Sequence, residues 1–273
     1  MLAELLLALL QVVPSEDIVV SGRSSEDAAR RYVEKVLPGI SFDAPLARFY
    51  DPVCVGVAGL PAEANRVIAD RVGEIARSVR LRVADQGCAP NLLVLFVPDG
   101  KAAVGKLKQS NTRGANSQTL ADLRRIVAEP GSARGWIEVE TRSRDGDRPN
   151  YTPGSPPDLR VSTSSRLSSA TRRDIVSATV VIDRDAMADR DLRQAADYAA
   201  LRALSGARVR DASGQNSILT AFTPKGDEAA PPELTANDRG FLDGLYSGNG
   251  NAFAVMKKQA IVRNIVREKD AAP

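Results

Sequence analysis

The pattern of hydrophobic and polar positions predicts a buried strand followed by an alanine-rich helix in the second half of the chain. Residues 175–182 are nearly uncharged and rich in β-branched side chains, which is typical of a buried strand. The helix is predicted over residues 192–204, where apolar side chains recur at helical spacing: Leu192, Ala195, Ala196, Ala199, Ala203 and Leu204. The other predicted elements are arranged around this strand and helix.

The N-terminal part of the chain shows the same two periodicities. Strands are predicted over residues 46–57, 91–97 and 135–141, and a short one over residues 159–162 within a long loop. Helices are predicted over residues 24–36, 101–108 and 117–128, and from Pro61 onwards. Two of these helices have a predicted inward face, consisting of Ile68, Val72, Ile75, Ala76 and Val79 in one and of Leu120, Leu123, Ile126 and Val127 in the other.

Two more helices are predicted near the C-terminus. Thr235 and Asp238 form a capping-box-like start, followed by Phe241, Leu242 and Leu245 on one face. The last helix, residues 253–268, sets Ala254, Ile261 and Ile265 against a basic face of Lys257, Lys258, Arg263 and Arg267. A basic amphipathic helix is compatible with contact with a membrane surface. We expect instead that its apolar stripe docks on the domain, as in most amphipathic surface helices.

Composition indicates a globular chain without a nucleic-acid footprint. The 273 residues are 43% hydrophobic, enough for a packed core. The 37 Lys and Arg residues are interspersed with 34 Asp and Glu residues, and aromatic residues make up only 4% of the chain. Binding to DNA or RNA is therefore not expected.

Histidine does not occur in this sequence. This excludes Ser-His-Asp and Cys-His nucleophile activation within the chain, and it excludes histidine-ligated zinc. Two cysteines are too few for a four-sulfur zinc site. We therefore expect no metal and no cofactor, although Asp, Glu, Lys or Tyr remain available as a general base.

The N-terminus has the length pattern of a signal peptide. Residues 2–13 form a short apolar run, but no Lys or Arg precedes it and Glu4 interrupts it. The alternative is an amphipathic N-terminal helix. We predict export to the periplasm or beyond, with residues 1–23 as leader and lead-in, residues 24–250 as one domain, and residues 251–273 as a helix packed on it.

Cys54 lies near the end of one predicted strand and Cys88 in the turn before the next, with the helix that starts at Pro61 between them. In an exported chain this placement is compatible with a disulfide, and in a reducing compartment the same residues would be two buried free thiols. Because export is expected, we predict the disulfide.

The chain resembles exported alphaproteobacterial proteins in two respects. The first is a segment like the one that follows the signal peptide in many TonB-dependent receptors, Asp17-Ile18-Val19-Val20-Ser21-Gly22-Arg23. The second is the order of a strand, a helix and the segments Ser217-Ile218-Leu219 and Leu234-Thr235-Ala236-Asn237-Asp238. This order looks like the C-terminal half of metzincin proteases, and it also resembles uncharacterised exported alphaproteobacterial proteins in which the helix has lost its metal ligands. The resemblance implies an α+β fold with a zincin-like mixed sheet.

In metzincins the corresponding helix carries the zinc ligands, whereas here it reads Gln194-Ala195-Ala196-Asp197-Tyr198. Without imidazole, Asp197 alone does not hold a catalytic zinc. The first hypothesis is thus a non-catalytic exported protein that binds an envelope protein or peptide, with Gln194, Asp197 and Tyr198 as candidate cleft residues. A purely structural role for them is also open, with Asp197 paired to Arg193 or Arg202.

Two other hypotheses rest on other residues. A histidine-free hydrolase would use Ser with Lys, or paired carboxylates from the acidic cluster of Asp183, Asp185, Asp189 and Asp191, which is also compatible with Ca²⁺. Neutralisation by Arg184 and Arg190, and a helix start that favours acidic residues, explain the same cluster without function. An envelope accessory of TonB-linked uptake would rest on residues 18–23 alone.

Overall fold

A four-stranded mixed sheet forms the centre of the computed structural model, which describes residues 21–37, 44–107, 118–161, 168–188, 190–208, 216–224 and 230–271. The strands are β1 (Val55–Ala58), β2 (Leu92–Val97), β3 (Ala133–Ser143) and β4 (Thr171–Asp183), in the spatial order β1-β2-β4-β3. The strand β2 is parallel to both β1 and β4, while β3 is antiparallel to β4. The predicted α+β class is confirmed.

Seven helices surround the sheet in the described part of the chain. They are α1 (Ser21–Val36), α2 (Ala62–Ser78), α3 (Gly100–Leu107), α4 (Leu120–Val127), α5 (Leu192–Ser205), α6 (Ala236–Tyr246) and α7 (Ala254–Asp270). Two short 3-10 helices, Arg184–Met187 and Ile218–Phe222, flank α5 in the chain. The apolar segment 218–222 is thus a buried helical turn.

The sheet separates two hydrophobic clusters because successive side chains of a strand point to opposite faces. On one face, α3 and α4 cover Trp136 and Val181 with Val104, Leu123 and Ile126. The larger cluster on the other face includes residues of α1, α2, α5, α6 and α7. The helix α5 therefore lies inside the main core, and eleven of its fourteen residues are buried.

The glycines of α6 bring α7 close to it. A Cβ atom at Gly240 or Gly244 would lie 2.5 Å from the Cα of Ile265 or Ile261. Larger residues at these two positions would push the helices apart. The apolar stripe of α7 is thus docked against α6.

Three predictions about individual elements are wrong. Of residues 46–57, only the last few belong to a strand of the sheet, because the preceding residues form isolated bridges. The side chain of Leu120 is 56% exposed and is not part of the inward face of α4. Residues 159–161 form no strand, although the same loop is closed by a bridge between Asn150 and Asp158.

Only part of the predicted N-terminal region lies within the residues that the structure describes. The helix α1 begins at Ser21, slightly before the predicted residue 24. The predicted signal peptide and residues 17–20 lie outside the described residues, as does Asp189 of the acidic cluster. In the described ranges, no helix has both the length and the apolar character needed to cross a bilayer.

The disulfide between Cys54 and Cys88 is confirmed, with Cα atoms 6.1 Å apart. It joins the residue before β1 to the turn before β2. Asn91 reinforces this junction, since its side chain accepts from the Cys54 amide at 2.8 Å and donates to the Pro52 carbonyl at 3.0 Å. The start of the first strand-helix unit is therefore fixed to the start of the second strand.

Reduction of this disulfide is expected to lower the free energy of unfolding by about 3 to 4 kcal/mol, because the open chain gains loop entropy when it unfolds. Urea unfolding with and without reductant measures the difference. The Cys54→Ser, Cys88→Ser double variant is the control, and it should unfold like the reduced protein and ignore the reductant. Equal midpoints for the oxidised and reduced wild type would contradict the expected role.

Candidate functional site

The helix α5 carries the three candidate residues and has defined signals at both ends. Asp191 is the N-cap, and its carboxylate accepts from the Gln194 amide at 2.6 Å. Gly206 ends the helix in the left-handed conformation, with φ of 65°. Small alanine side chains between these caps allow the helix to pack closely within the core.

Gln194 lies at the first turn of α5 and is half-buried. Its side-chain amide donates to the carbonyl of Pro231 at 2.8 Å. Nearby, Arg193 and Glu233 form an exposed ion pair with an N–O distance of 3.7 Å. Residues 231–234 are therefore tied to the helix by polar contacts at this end.

Asp197 is completely buried and paired with a residue that the sequence prediction did not consider. Arg71 of α2 donates to its two oxygens from Nε at 2.7 Å and from Nη2 at 3.2 Å. The Leu234 amide donates to the same carboxylate at 2.8 Å. The predicted partners are wrong, because Arg193 bonds to Glu233 and Arg202 bonds to Glu129.

Tyr198 is also buried, and its ring packs edge-on against Phe222 with centroids 4.7 Å apart. Burial raises the pKa of its phenol above the usual value. The contact places the 218–222 turn directly against α5. The structure thus brings the three candidate residues to one helix but gives each of them a partner within the protein.

A second polar centre joins the 218–222 turn to α6 around Asp238. Its buried carboxylate accepts from Tyr32 at 2.8 Å and Ser217 at 2.6 Å, and from the amides of Ile218 and Thr235 at 2.9 Å each. The predicted capping box of Thr235 and Asp238 is confirmed. No local sequence pattern pointed to Tyr32, which reaches Asp238 from α1.

A third polar cluster, at one end of β3 and β4, was missed by the sequence analysis. Asp174 is buried, accepts from Arg172 at 2.9 and 3.0 Å and lies 3.2 Å from Arg142. Burial raises the pKa of this carboxyl group, against the opposing effect of Arg172. The guanidinium of Arg172 lies 3.9 Å from the centre of the Tyr50 ring. The sequence signal that could have revealed this cluster is the presence of charged residues within segments that otherwise have a strand pattern.

The acidic cluster is dispersed as far as the structure describes it. Asp183 accepts from the Gly100 amide at 2.7 Å, Asp191 caps α5, and Asp185 is exposed. Among the described residues, no three His, Cys, Asp or Glu side chains are placed to hold a metal ion. Asp183 and Asp191 therefore each have a local structural role. They do not form the carboxylate pair that the hydrolase hypothesis requires.

Two cations bind the C-terminal end of α6, where carbonyl groups lack helical partners. Arg48 donates to the carbonyls of Tyr246 and Gly248 at 3.2 Å each. Lys257 donates to the carbonyl of Ser247 at 2.5 Å. The prediction that Lys257 belongs to the exposed basic face of the last helix is wrong, because only 5% of it is exposed.

Burial and the neighbouring Arg48 lower the pKa of Lys257 from 10.5 to about 8. The unfolded chain therefore binds more protons than the folded chain between these values, so stability rises with pH there. We expect stability to rise by about 1.5 kcal/mol between pH 8 and 9.5. Urea unfolding across this range should show the rise in the wild type and lose it in Lys257→Met.

The half-buried neighbour Lys258 provides the control, since Lys258→Met should keep the pH dependence of the wild type. Parallel curves for the wild type and Lys257→Met would show that Lys257 does not titrate in this range. The range stops below pH 10 because burial raises the pKa of Tyr198 and Tyr246 and introduces an opposite slope at higher pH.

Comparison with known proteins identifies no relative: no protein family, curated protein or solved structure matches this chain. The class that the described residues define is therefore an α+β protein with a mixed sheet and a disulfide.

Proposed function

We propose that this chain is an exported, non-catalytic protein of zincin-like architecture that binds an envelope protein or peptide through the surface formed by the first turn of α5 and residues 231–234. The order of β4, α5, the 218–222 turn and α6 is the order that the metzincin resemblance implies. The packing of Phe222 against Tyr198 places the turn beneath α5. This arrangement supports the proposed architecture.

The observation that carries the non-catalytic part is the engagement of Asp197. Its carboxylate is fully buried and bound by Arg71 and Leu234, so it offers no oxygen to a substrate or to a metal ion. The chain also has no imidazole to complete a zinc site. Because this helix commits its acidic side chain internally, the proposal assigns it a binding role and not hydrolysis.

The binding surface follows from the same contacts. Residues 231–234 cover α5, and Arg193 and Glu233 at their rim have side chains that are 58% and 48% exposed. A partner would therefore contact this rim together with the partly exposed Gln194, while Asp197 and Tyr198 support the surface from below. Both signs of charge at the rim favour a polar peptide segment over a purely apolar one.

The proposal is tested first on the mature protein isolated from the native envelope. We expect a shortened N-terminus, no alkylated cysteine under non-reducing conditions, and no zinc-dependent cleavage of casein or of a quenched peptide library. Full-length protein with two alkylated cysteines would exclude export. Cleavage that is lost on Asp185→Asn would instead support the histidine-free hydrolase.

A photo-cross-linking side chain at position 233 tests the binding surface in the native host, with the same group at the exposed position 120 as control. A discrete adduct at position 233 that disappears in Arg193→Glu is expected. Identical adduct patterns at the two positions, or none at position 233, would overturn the proposed surface.

A further inference from the structure

The strand β1 has one edge that no other strand of the sheet covers. The amide of Leu92 donates to the carbonyl of Cys54 at 3.1 Å, and the β1–β2 register continues from Val55 opposite Leu92. Because backbone groups of successive residues point to opposite sides of a strand, Gly56 and Ala58 face β2, whereas Val55 and Val57 face away from it. The outward N–H and C=O groups of these two valines define the β1 edge.

Just before this edge, the outward backbone groups of Val53 already pair with residues 82–84. The Val53 amide donates to the Arg82 carbonyl at 2.8 Å, and the Val53 carbonyl accepts from the Ala84 amide at 2.9 Å. The bridge between Val53 and Val83 is parallel. The chain then leaves through the exposed residues 85–87, so the pairing stops after one bridge.

The outward groups of Val55 and Val57 continue the line of this bridge. Within the described ranges, no hydrogen bond reaches them. Proteins commonly protect such edges with lysine, proline or a bulge. The sequence Val-Gly-Val-Ala of β1 contains none of these, and its residues are half-buried or exposed.

We propose that the β1 edge binds an extended segment of another protein, which adds a strand parallel to β1. An extended backbone is the ligand that offers donors and acceptors at the spacing of a strand edge. The parallel direction follows from residues 82–84, which already pair with Val53 in that sense. This site is separate from the face of α5 and does not depend on the function proposed above.

The side chains around the edge indicate which segment it prefers. A Cβ at Gly56 would lie 3.0 Å from the side chains of Pro90 and Leu93, which therefore already cover this residue of the strand. Large apolar side chains at alternate positions of an added strand would extend this apolar surface past β1. Because the edge is only four residues long, backbone bonds alone give weak binding, so these side chains determine affinity.

The test uses purified oxidised protein and a phage-displayed library of random dodecapeptides. Peptides that bind the wild type are selected and then depleted on Val57→Pro. Proline at this position removes an outward N–H but leaves the ladder to β2 intact, because edge strands tolerate proline where the N–H faces solvent. Val57→Thr keeps the N–H and is the matched control, and thermal melts check the fold of each variant.

We expect peptides with alternating large apolar or β-branched residues that bind the wild type and Val57→Thr, and whose affinity falls at least tenfold in Val57→Pro. Bound peptide should also slow amide exchange at Val57 in the wild type, which needs no variant. Failure to recover such peptides, equal affinity for all three proteins, or unchanged exchange at Val57 would overturn the proposal. Concentration-dependent dimerisation that Val57→Pro abolishes would do so as well, because the edge would then pair with a second copy.

Discussion

Replacing Asp238 by alanine is expected to lower the free energy of unfolding by about 5 kcal/mol. The buried carboxylate accepts from the side chains of Tyr32 and Ser217 and from two backbone amides. Its removal leaves these donors buried without an acceptor, and each unsatisfied donor costs about 1 to 3 kcal/mol. Urea unfolding followed by circular dichroism measures the loss.

Tyr32→Phe is the matched control for Asp238→Ala. It removes one donor but keeps the ring, which packs edge-on against Phe241 with centroids 6.1 Å apart. We expect a loss of only about 1 kcal/mol, because the carboxylate keeps its other donors. Comparable losses in the two variants would mean that the carboxylate does not organise this centre.

Replacing Asp197 by alanine is expected to cost about 4 kcal/mol, because it leaves Arg71 as a partly buried cation without its carboxylate. The side chain of Arg71 is 23% exposed, so some of this cost is relieved by water. Unfolding by urea quantifies the effect, and loss of protection at the Leu234 amide in hydrogen exchange locates it. That amide donates to Asp197 in the wild type.

A double-mutant cycle separates the ion pair from the packing. Arg71→Met, Asp197→Leu should be more stable than Asp197→Ala alone, because apolar replacement of both partners avoids an unpaired charge. If the losses of stability in Arg71→Met and in Asp197→Leu add up to the loss in the double variant, Arg71 and Asp197 do not stabilise each other. Gln194→Ala serves as the surface control, with an expected loss of about 1 kcal/mol from one hydrogen bond.

Local sequence patterns correctly predicted those elements in which buried side chains recur at the regular spacing of a helix or a strand. The predicted inward face of α2 is correct, since Ile68, Val72, Ile75, Ala76 and Val79 are all buried. The strand β2 and the capping box of α6 were also predictable, because their signals lie within a few residues. The α+β class was implied by the resemblance to metzincin-like proteins.

The partners of buried charges were not predictable, because they depend on packing between distant segments. Arg71 and Asp197 are 126 residues apart, and Tyr32 and Asp238 are 206 residues apart. Lys257 was predicted to be a surface residue, but it is buried because its ammonium group donates to the Ser247 carbonyl at the end of α6. The prediction for Leu120 was wrong for a related reason, because helical periodicity marks a face without saying how far the neighbouring elements extend over it.

The disulfide also determines how this chain would respond to a stretching force. Its cysteines are 34 residues apart in sequence and 6.1 Å apart in space, so the whole of α2 lies inside a closed loop. Tension applied at the two termini passes through the sulfur atoms and bypasses that helix. The oxidised chain would therefore reach a contour length about 110 Å shorter than the reduced chain, and α2 would carry no load.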